Sequence, residues 1–157
     1  MPIYMKIEGI EGLARTGPFD KQHKLESFGW GLQNSSGGVG SSFAQMGKIN
    51  VGDVSISKVA DKSSALWIQN CTMGKHIAKA EVTFTAGTQQ DQKYATIVFH
   101  DVLISSYQIG CGPDTFPTES VSLSFAKFET EFAKLDDVGG KVAAGAKFQY
   151  DVKAAKA

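Results

Sequence analysis

The sequence predicts a mainly β protein, a β-barrel or two-sheet sandwich of about eight strands with one α-helix. Segments of alternating apolar and polar residues recur along most of the 157 residues. Turn-forming glycine, proline and aspartate separate these segments at the spacing typical of barrels and sandwiches. Only one segment, near the middle of the chain, has the end signals of a helix. At this length, we expect a single domain covering 1–157.

The composition argues against several classes of partner. Lysine and arginine together number 16, as do aspartate and glutamate, so no net charge attracts nucleic acid or an anionic membrane. The first ten residues lack the basic start and apolar core of a secretory signal, and no apolar run has membrane-spanning length. Two cysteines, Cys71 and Cys111, are too few for a disulfide framework. We therefore expect a soluble, reduced chain made in the cytosol.

The first strand is predicted from strict alternation at the amino terminus. Ile3, Met5 and Ile7 occupy every second position, which is the pattern of a strand with one buried face. The segment 9–23 that follows has no periodicity and is predicted to be a surface loop.

The second predicted strand, 25–32, has two unlike faces. Aromatic and leucine side chains point to one side, whereas Ser27, Gly29 and Gly31 point to the other. Glycines weaken a strand unless a close approach or an open surface requires the absence of side chains. The second face is therefore predicted to be a smooth surface.

A segment rich in glycine and serine, 33–47, follows this strand. Its composition cannot bury enough apolar surface to order itself, so we predict a flexible loop. The third strand is predicted over 49–58, with a bulge at 52–53, where Gly-Asp interrupts the alternation.

The one predicted helix runs from Ser64 to Met73. The hydroxyl of Ser63 or Ser64 can cap its first turn, and the carboxylate of Asp61 suits the positive end of the helix dipole. Gly74 provides the left-handed residue that commonly ends a helix.

More than half of the helix circumference is apolar. Trp67, Ile68 and Cys71 lie together, and Leu66 and Met73 lie further round. A helix that covers a single sheet needs only a narrower stripe. We therefore predict that the helix lies against its own sheet on one flank and against something else, such as another subunit, on the other, so that these five residues belong to the core or to a subunit interface.

Further strand-forming segments follow the helix. Within the longest of them, Asp101 is predicted to be a break or a bend. The last residues, 153–157, are expected to fray. The strands are predicted at 78–84, 94–109, 121–132 and 148–152.

Four ordered motifs identify a family resemblance. They are DKSS at 61–64, GKH at 74–76, DVLISS at 101–106 and LSFAK at 123–127. Their order and spacing closely resemble the haemolysin-coregulated protein (Hcp) family of the bacterial type VI secretion system, over nearly the whole chain. The resemblance implies a β-barrel of two sheets with one helix, and homohexameric rings that stack into a tube. It implies no catalytic site, cofactor or metal.

The resemblance also implies partners and surfaces. The tube is surrounded by a contractile sheath, tipped by a spike protein and expelled from the cytoplasm without a cleavable signal peptide, and the ring interior holds effector proteins. The strand with Ser27, Gly29 and Gly31 corresponds to the one that lines the channel and faces cargo. The glycine- and serine-rich loop corresponds to an extended loop that contacts neighbouring subunits or rings, here through Ser35, Ser36, Gly37, Gly38 and Phe43.

Enzymatic and metal-binding interpretations are weaker. Cys71, His76 and Asp61 have the residue types of a thiol hydrolase, but a cysteine among apolar helix residues is usually a small hydrophobe. The three histidines lack the spacing of a metal site.

Two other functions fit the strand count. One is a monomeric, lipocalin-like barrel that binds a small ligand in its interior. The other is a phage tail-tube protein. The broad apolar arc of the helix favours a ring subunit over a ligand-binding barrel, and the DKSS and GKH motifs favour the secretion family over the phage protein.

Overall fold

The computed structural model describes residues 1–15, 17–34, 49–86, 92–135, 142–154 and 156–157. Within these ranges the chain forms eleven strands, one α-helix and one 3-10 turn. The prediction of a mainly β fold with one helix is confirmed, with eleven strands in the described ranges where about eight were expected. The elements are β1 (Ile3–Ile7), the 3-10 turn (Gly17–Phe19), β2 (His23–Leu25), β3 (Ser27–Gly29), β4 (Leu32–Asn34), β5 (Ile49–Val51), β6 (Val54–Val59), α1 (Ser64–Met73), β7 (Ile77–Thr85), β8 (Lys93–Gly110), β9 (Thr118–Ser124), β10 (Lys127–Leu135) and β11 (Val142–Asp151).

Nine of these strands form one bent antiparallel sheet. Its order is β2-β1-β7-β8-β9-β6-β3, and β10 pairs with both β8 and β11. The described strands do not close into a complete hydrogen-bonded barrel, so the structure has two halves of one sheet rather than a closed barrel. Apolar residues from both halves contribute to a single core.

Strand β8 connects the two halves of the sheet. Up to Val102 it pairs with β7 and β10, and from Leu103 onward it pairs with β9. At Asp101 the strand bends instead of ending, with a φ of 52°. Left-handed backbone is uncommon for residues other than glycine, and aspartate is among those that tolerate it. The Asp101 carboxylate accepts hydrogen bonds from His76 Nδ1 at 2.8 Å and Lys153 Nζ at 3.3 Å.

The strand predicted over 25–32 is divided into three pieces. Leu25 pairs with β1 in the first half of the sheet, β3 pairs with β6 in the second half, and β4 pairs only with β5 in a separate ladder. The continuous prediction was wrong because the chain crosses here from one half of the sheet to the other. The predicted strand 49–58 is likewise divided at 52–53 into β5 and β6, where a bulge was expected.

The structure describes residues 33–34 of the predicted loop 33–47 and all but one residue of the predicted tail 153–157. Residues 33–34 of the predicted loop belong to β4. The rest of that loop lies outside the described residues, including Ser35, Ser36, Gly37, Gly38 and Phe43. In the tail predicted to fray, Lys156 N–H donates to the Asp151 carbonyl at 3.3 Å, and Ala154 N–H donates to the Asp151 carboxylate at 2.9 Å.

The bounds of helix α1 are those predicted, but its first turn is capped differently. Gly74 adopts the expected left-handed conformation, with a φ of 60°. The Ser63 hydroxyl does not cap the helix, because it hydrogen-bonds to the Asp61 carboxylate. That carboxylate accepts the Ser63 N–H at 2.7 Å, and the Ser64 hydroxyl accepts the Asp61 N–H at 3.0 Å. In the described ranges, no helix has the length and apolarity needed to cross a membrane.

Candidate channel and contact surfaces

A surface of small polar side chains covers the outer face of the second half of the sheet. Strand register aligns these residues in two cross-strand rows, one running Ser27, Ser57, Ser120, Gln108 and the other Gly29, Ser55, Ser122, Ser106. We call these eight residues the serine surface.

Simple alternation produces this surface. Ile56 and Val121 point into the core and are almost completely buried, so their sequence neighbours point outward. The hydroxyl oxygens of Ser27 and Ser57 are 2.6 Å apart, which is a hydrogen bond between neighbouring strands. A Cβ atom added at Gly29 or Gly31 would meet no atom within 4 Å. These glycines therefore border open space, as an open surface requires, and are not forced by a close approach.

The serine surface is uncharged. None of its eight residues is acidic or basic. Hydroxyl groups both donate and accept hydrogen bonds. The surface can therefore make many weak polar contacts without selecting one sign of charge.

The apolar residues predicted on helix α1 divide into two groups. Trp67 is fully buried and packs edge-on against His23, with ring centroids 5.2 Å apart, and the half-buried Cys71 packs against the same core. The other three lie on either side of this buried face of the helix and are exposed to solvent. Their exposed fractions are 41% for Leu66, 45% for Ile68 and 69% for Met73.

The residue types of a thiol hydrolase are not brought together. Cys71 lies on the helix against the core, whereas the ring of His76 is exposed and is hydrogen-bonded to Asp101. Asp61 is engaged by Lys58 and Ser63. In the described residues, no group of three His, Cys, Asp or Glu side chains has the geometry to hold a metal ion.

A buried ionic cluster at the start of helix α1 was missed by sequence analysis. Lys58 and Glu119 are direct cross-strand partners, and both side chains are at most 2% exposed. Lys58 Nζ lies 2.5 Å from Glu119 Oε1 and 3.0 Å from Asp61 Oδ2. The Tyr107 hydroxyl donates to Glu119 Oε2 at 2.5 Å. The cluster thus connects β6, β8 and β9 to the first turn of the helix.

The cluster shifts the pKa of two of its members. Burial, followed by the hydrogen bond to the Glu119 carboxylate, raises the pKa of Tyr107 to about 12. Burial acts to raise the pKa of Asp61, but hydrogen bonds from Ser63 and Lys58 outweigh it, and the pKa is lowered. At neutral pH, Tyr107 is therefore a hydrogen-bond donor and Asp61 is a carboxylate.

An apolar groove opens at the edge of the core. Leu32, Phe132 and Phe148 are each about half exposed along it. Its other lining residues are Phe28, Trp30, Phe84, Tyr94, Ala95, Ile97, Phe128 and Thr130.

The fold is that of type VI secretion proteins. A solved structure described as a type six secretion system protein matches 99% of this chain and 98% of its own, with a TM-score of 0.88 at 20% sequence identity. Hcp1 from Salmonella typhimurium matches 99% of this chain and 97% of its own, with a TM-score of 0.79 at 23% identity. At such identities these likenesses describe the fold alone.

Sequence comparison gives the family. Residues 4–132 match the family model described as "Type VI secretion system effector, Hcp". The protein hcp1 of Pseudomonas aeruginosa PAO1 is 32% identical over 108 residues, which are 68% of this chain and 67% of that protein. The chain belongs to the Hcp family of type VI secretion proteins, and the family resemblance predicted from the four motifs is confirmed.

Proposed function

We propose that this protein is a non-enzymatic structural subunit of the type VI secretion inner tube. Six copies form a ring, rings stack into a tube, and the tube is expelled from the cytoplasm. Its partners are further copies of itself, the contractile sheath, the spike protein and the effectors carried in the ring interior. The observation that carries the proposal is the serine surface, on an open face of a chain that belongs to the Hcp family.

The serine surface suits the wall of a channel. Its glycine and serine side chains are short and leave room for a folded or partly folded protein. Uncharged hydroxyl groups bind the surface of a cargo protein through hydrogen bonds that are individually worth about 1 kcal/mol. Repeated around a ring, such contacts retain cargo and still allow its release.

The exposed apolar residues of helix α1 support a contact between subunits. Leu66, Ile68 and Met73 are apolar and solvent-exposed in the single chain. A head-to-tail contact that repeats around a closed rotation produces a ring, and its two end faces remain free for stacking. Burying these side chains against a neighbour would add favourable apolar area to each of the repeated contacts.

The apolar groove favours a second candidate, a monomeric protein that binds a small hydrophobic ligand. Small-ligand sites are concave and mostly apolar, with a few polar groups. Aromatic and aliphatic side chains line most of the groove, and Tyr94 and Thr130 are the lining residues that carry a hydroxyl group. This candidate requires neither a ring nor the serine surface, so the oligomeric state distinguishes the two functions.

Substitution of Gly29 with arginine is expected to leave rings intact and to reduce the amount of effector that co-purifies with them. The position borders open space, so the longer side chain fits without disturbing the core. It introduces bulk and charge into an uncharged surface. Retained effector is measured relative to ring protein after size-exclusion chromatography.

Gly29→Ser is the matched control, because it adds only a hydroxymethyl group, the side chain already present in both rows. It should retain effector like the unmodified protein. Intact Gly29→Arg rings with an unchanged effector content would show that the serine surface is not the channel wall.

A further inference from the structure

His23 is a buried histidine at the junction between β2 and helix α1. Its side chain is 1% exposed, and its ring packs edge-on against Trp67. Nε2 lies 3.0 Å from the carbonyl oxygen of Ile10. A carbonyl only accepts hydrogen bonds, so Nε2 carries the proton of the neutral ring and Nδ1 has the lone pair. Across the described part of the chain, Nδ1 has no hydrogen-bond partner.

The charged groups around His23 act in opposite directions on a second proton on its ring: Lys58 opposes it, and Asp61 and Glu119 favour it. These groups are Lys58 on β6, Asp61 between β6 and α1, and Glu119 on β9. Both carboxylates are already engaged by the Lys58 ammonium, at 3.0 and 2.5 Å. A proton on Nδ1 would place a second cation in a buried space beside Lys58, with its N–H directed at no acceptor.

We propose that His23 is a pH-sensitive latch between β2 and helix α1. At neutral pH the uncharged ring closes the junction by packing on Trp67. At mildly acidic pH the protonated ring moves toward water, and the junction opens. Strand β2 is only three residues long and stands at one end of the sheet order, so it can move without breaking the rest of the sheet.

The direction of the pH effect follows from the pKa of His23. Burial lowers this pKa below its ordinary value of 6.5, and Lys58 lowers it further, although the Ile10 carbonyl, Asp61 and Glu119 act to raise it. The open form therefore binds more protons than the closed form between the two pKa values. The stabilising contribution is complete above pH 6.5, and it is lost as the pH falls toward the folded-state pKa.

Hydrogen–deuterium exchange of the intact protein between pH 7.5 and 5.0 tests the latch. After correction for intrinsic exchange rates, amides of β2 and the start of α1 should open about tenfold more for each pH unit between 6.5 and the folded-state pKa. Amides of β7 and β8 should not change. The latch is a property of one subunit, so the result does not depend on the proposed ring.

Three variants assign the effect to His23. His23→Gln has an amide that can still donate to the Ile10 carbonyl but cannot be protonated, and it should lose the acid response. His76→Gln and His100→Gln remove the other two histidines of the chain and should retain it. If His23→Gln does not fold, His23→Phe replaces it, because a benzyl ring preserves the packing on Trp67. An unchanged acid response without His23, or no response in the unmodified protein, would overturn the proposal.

Discussion

Replacing Trp67 with alanine is expected to lower the free energy of unfolding by roughly 3–5 kcal/mol. Trp67 is the largest fully buried side chain of the described residues, and it is the only residue of helix α1 that is completely buried. Truncation removes its contacts with His23 and leaves a cavity between the helix and the sheet. For a domain of this size, the loss corresponds to a fall of roughly 10 °C in melting temperature.

Thermal denaturation, followed by native mass measurement, tests this expectation. Gln69→Ala provides the control, because Gln69 is exposed on the same helix and its truncation should change stability by less than about 0.5 kcal/mol. A melting curve and mass for Trp67→Ala identical to those of the unmodified protein would refute the role of Trp67 in the core.

Replacing Glu119 with alanine is expected to cost about 3–5 kcal/mol, because it leaves a buried ammonium without its closest partner. Lys58 Nζ lies 2.5 Å from the Glu119 carboxylate, and the Lys58 side chain is 2% exposed. Asp61 remains in contact at 3.0 Å, which places the cost toward the lower end of this range. Tyr107 also loses the acceptor of its hydroxyl. Denaturant unfolding measures the change in free energy.

Two further variants separate an unpaired buried charge from a simple loss of packing. Replacing both Lys58 with methionine and Glu119 with leucine should recover most of the lost stability, since neither charge remains buried. Glu131→Ala breaks the exposed pair between Glu131 and Lys147 and should cost no more than about 1 kcal/mol. A Glu119→Ala cost as small as that of Glu131→Ala would contradict the account of the cluster.

Local signals predicted parts of the fold accurately. The bounds of helix α1 could be predicted because Asp61 and Gly74 act on the backbone within one turn of the helix ends. The bend at Asp101 follows from an aspartate within a long apolar segment. By contrast, the division of 25–32 into three strands depends on which half of the sheet each piece pairs with. Such long-range pairing is not encoded by alternation within the segment.

The ionic cluster was partly predictable. Lys58 follows Val54 and Ile56 at the inward positions of its strand, and Glu119 precedes Val121 at the inward positions of the next. Opposite charges at buried positions of two strands indicate a buried pair. Their register, however, depends on β6 and β9 being neighbours, although helix α1, β7 and β8 separate them in sequence.

The composition of helix α1 could not reveal which part of its apolar arc meets the sheet. Trp67 and Cys71 form the face of the helix that packs on the core, and Leu66 and Ile68 lie on opposite sides of this face. Because the residues on both sides are also apolar, the sequence pattern alone is compatible with several rotations of the helix. The aligned rows of the serine surface likewise appear only when the register of β3, β6, β9 and β8 is known.

Native mass spectrometry of the purified protein, with electron microscopy of the same sample, tests the proposed ring most directly. We expect a mass of six subunits and rings with an open centre. Each subunit contributes 16.8 kDa, so the ring is readily distinguished from smaller assemblies. A monomer at micromolar concentration, with no rings in the micrographs, would contradict the proposed tube subunit and favour a ligand in the apolar groove.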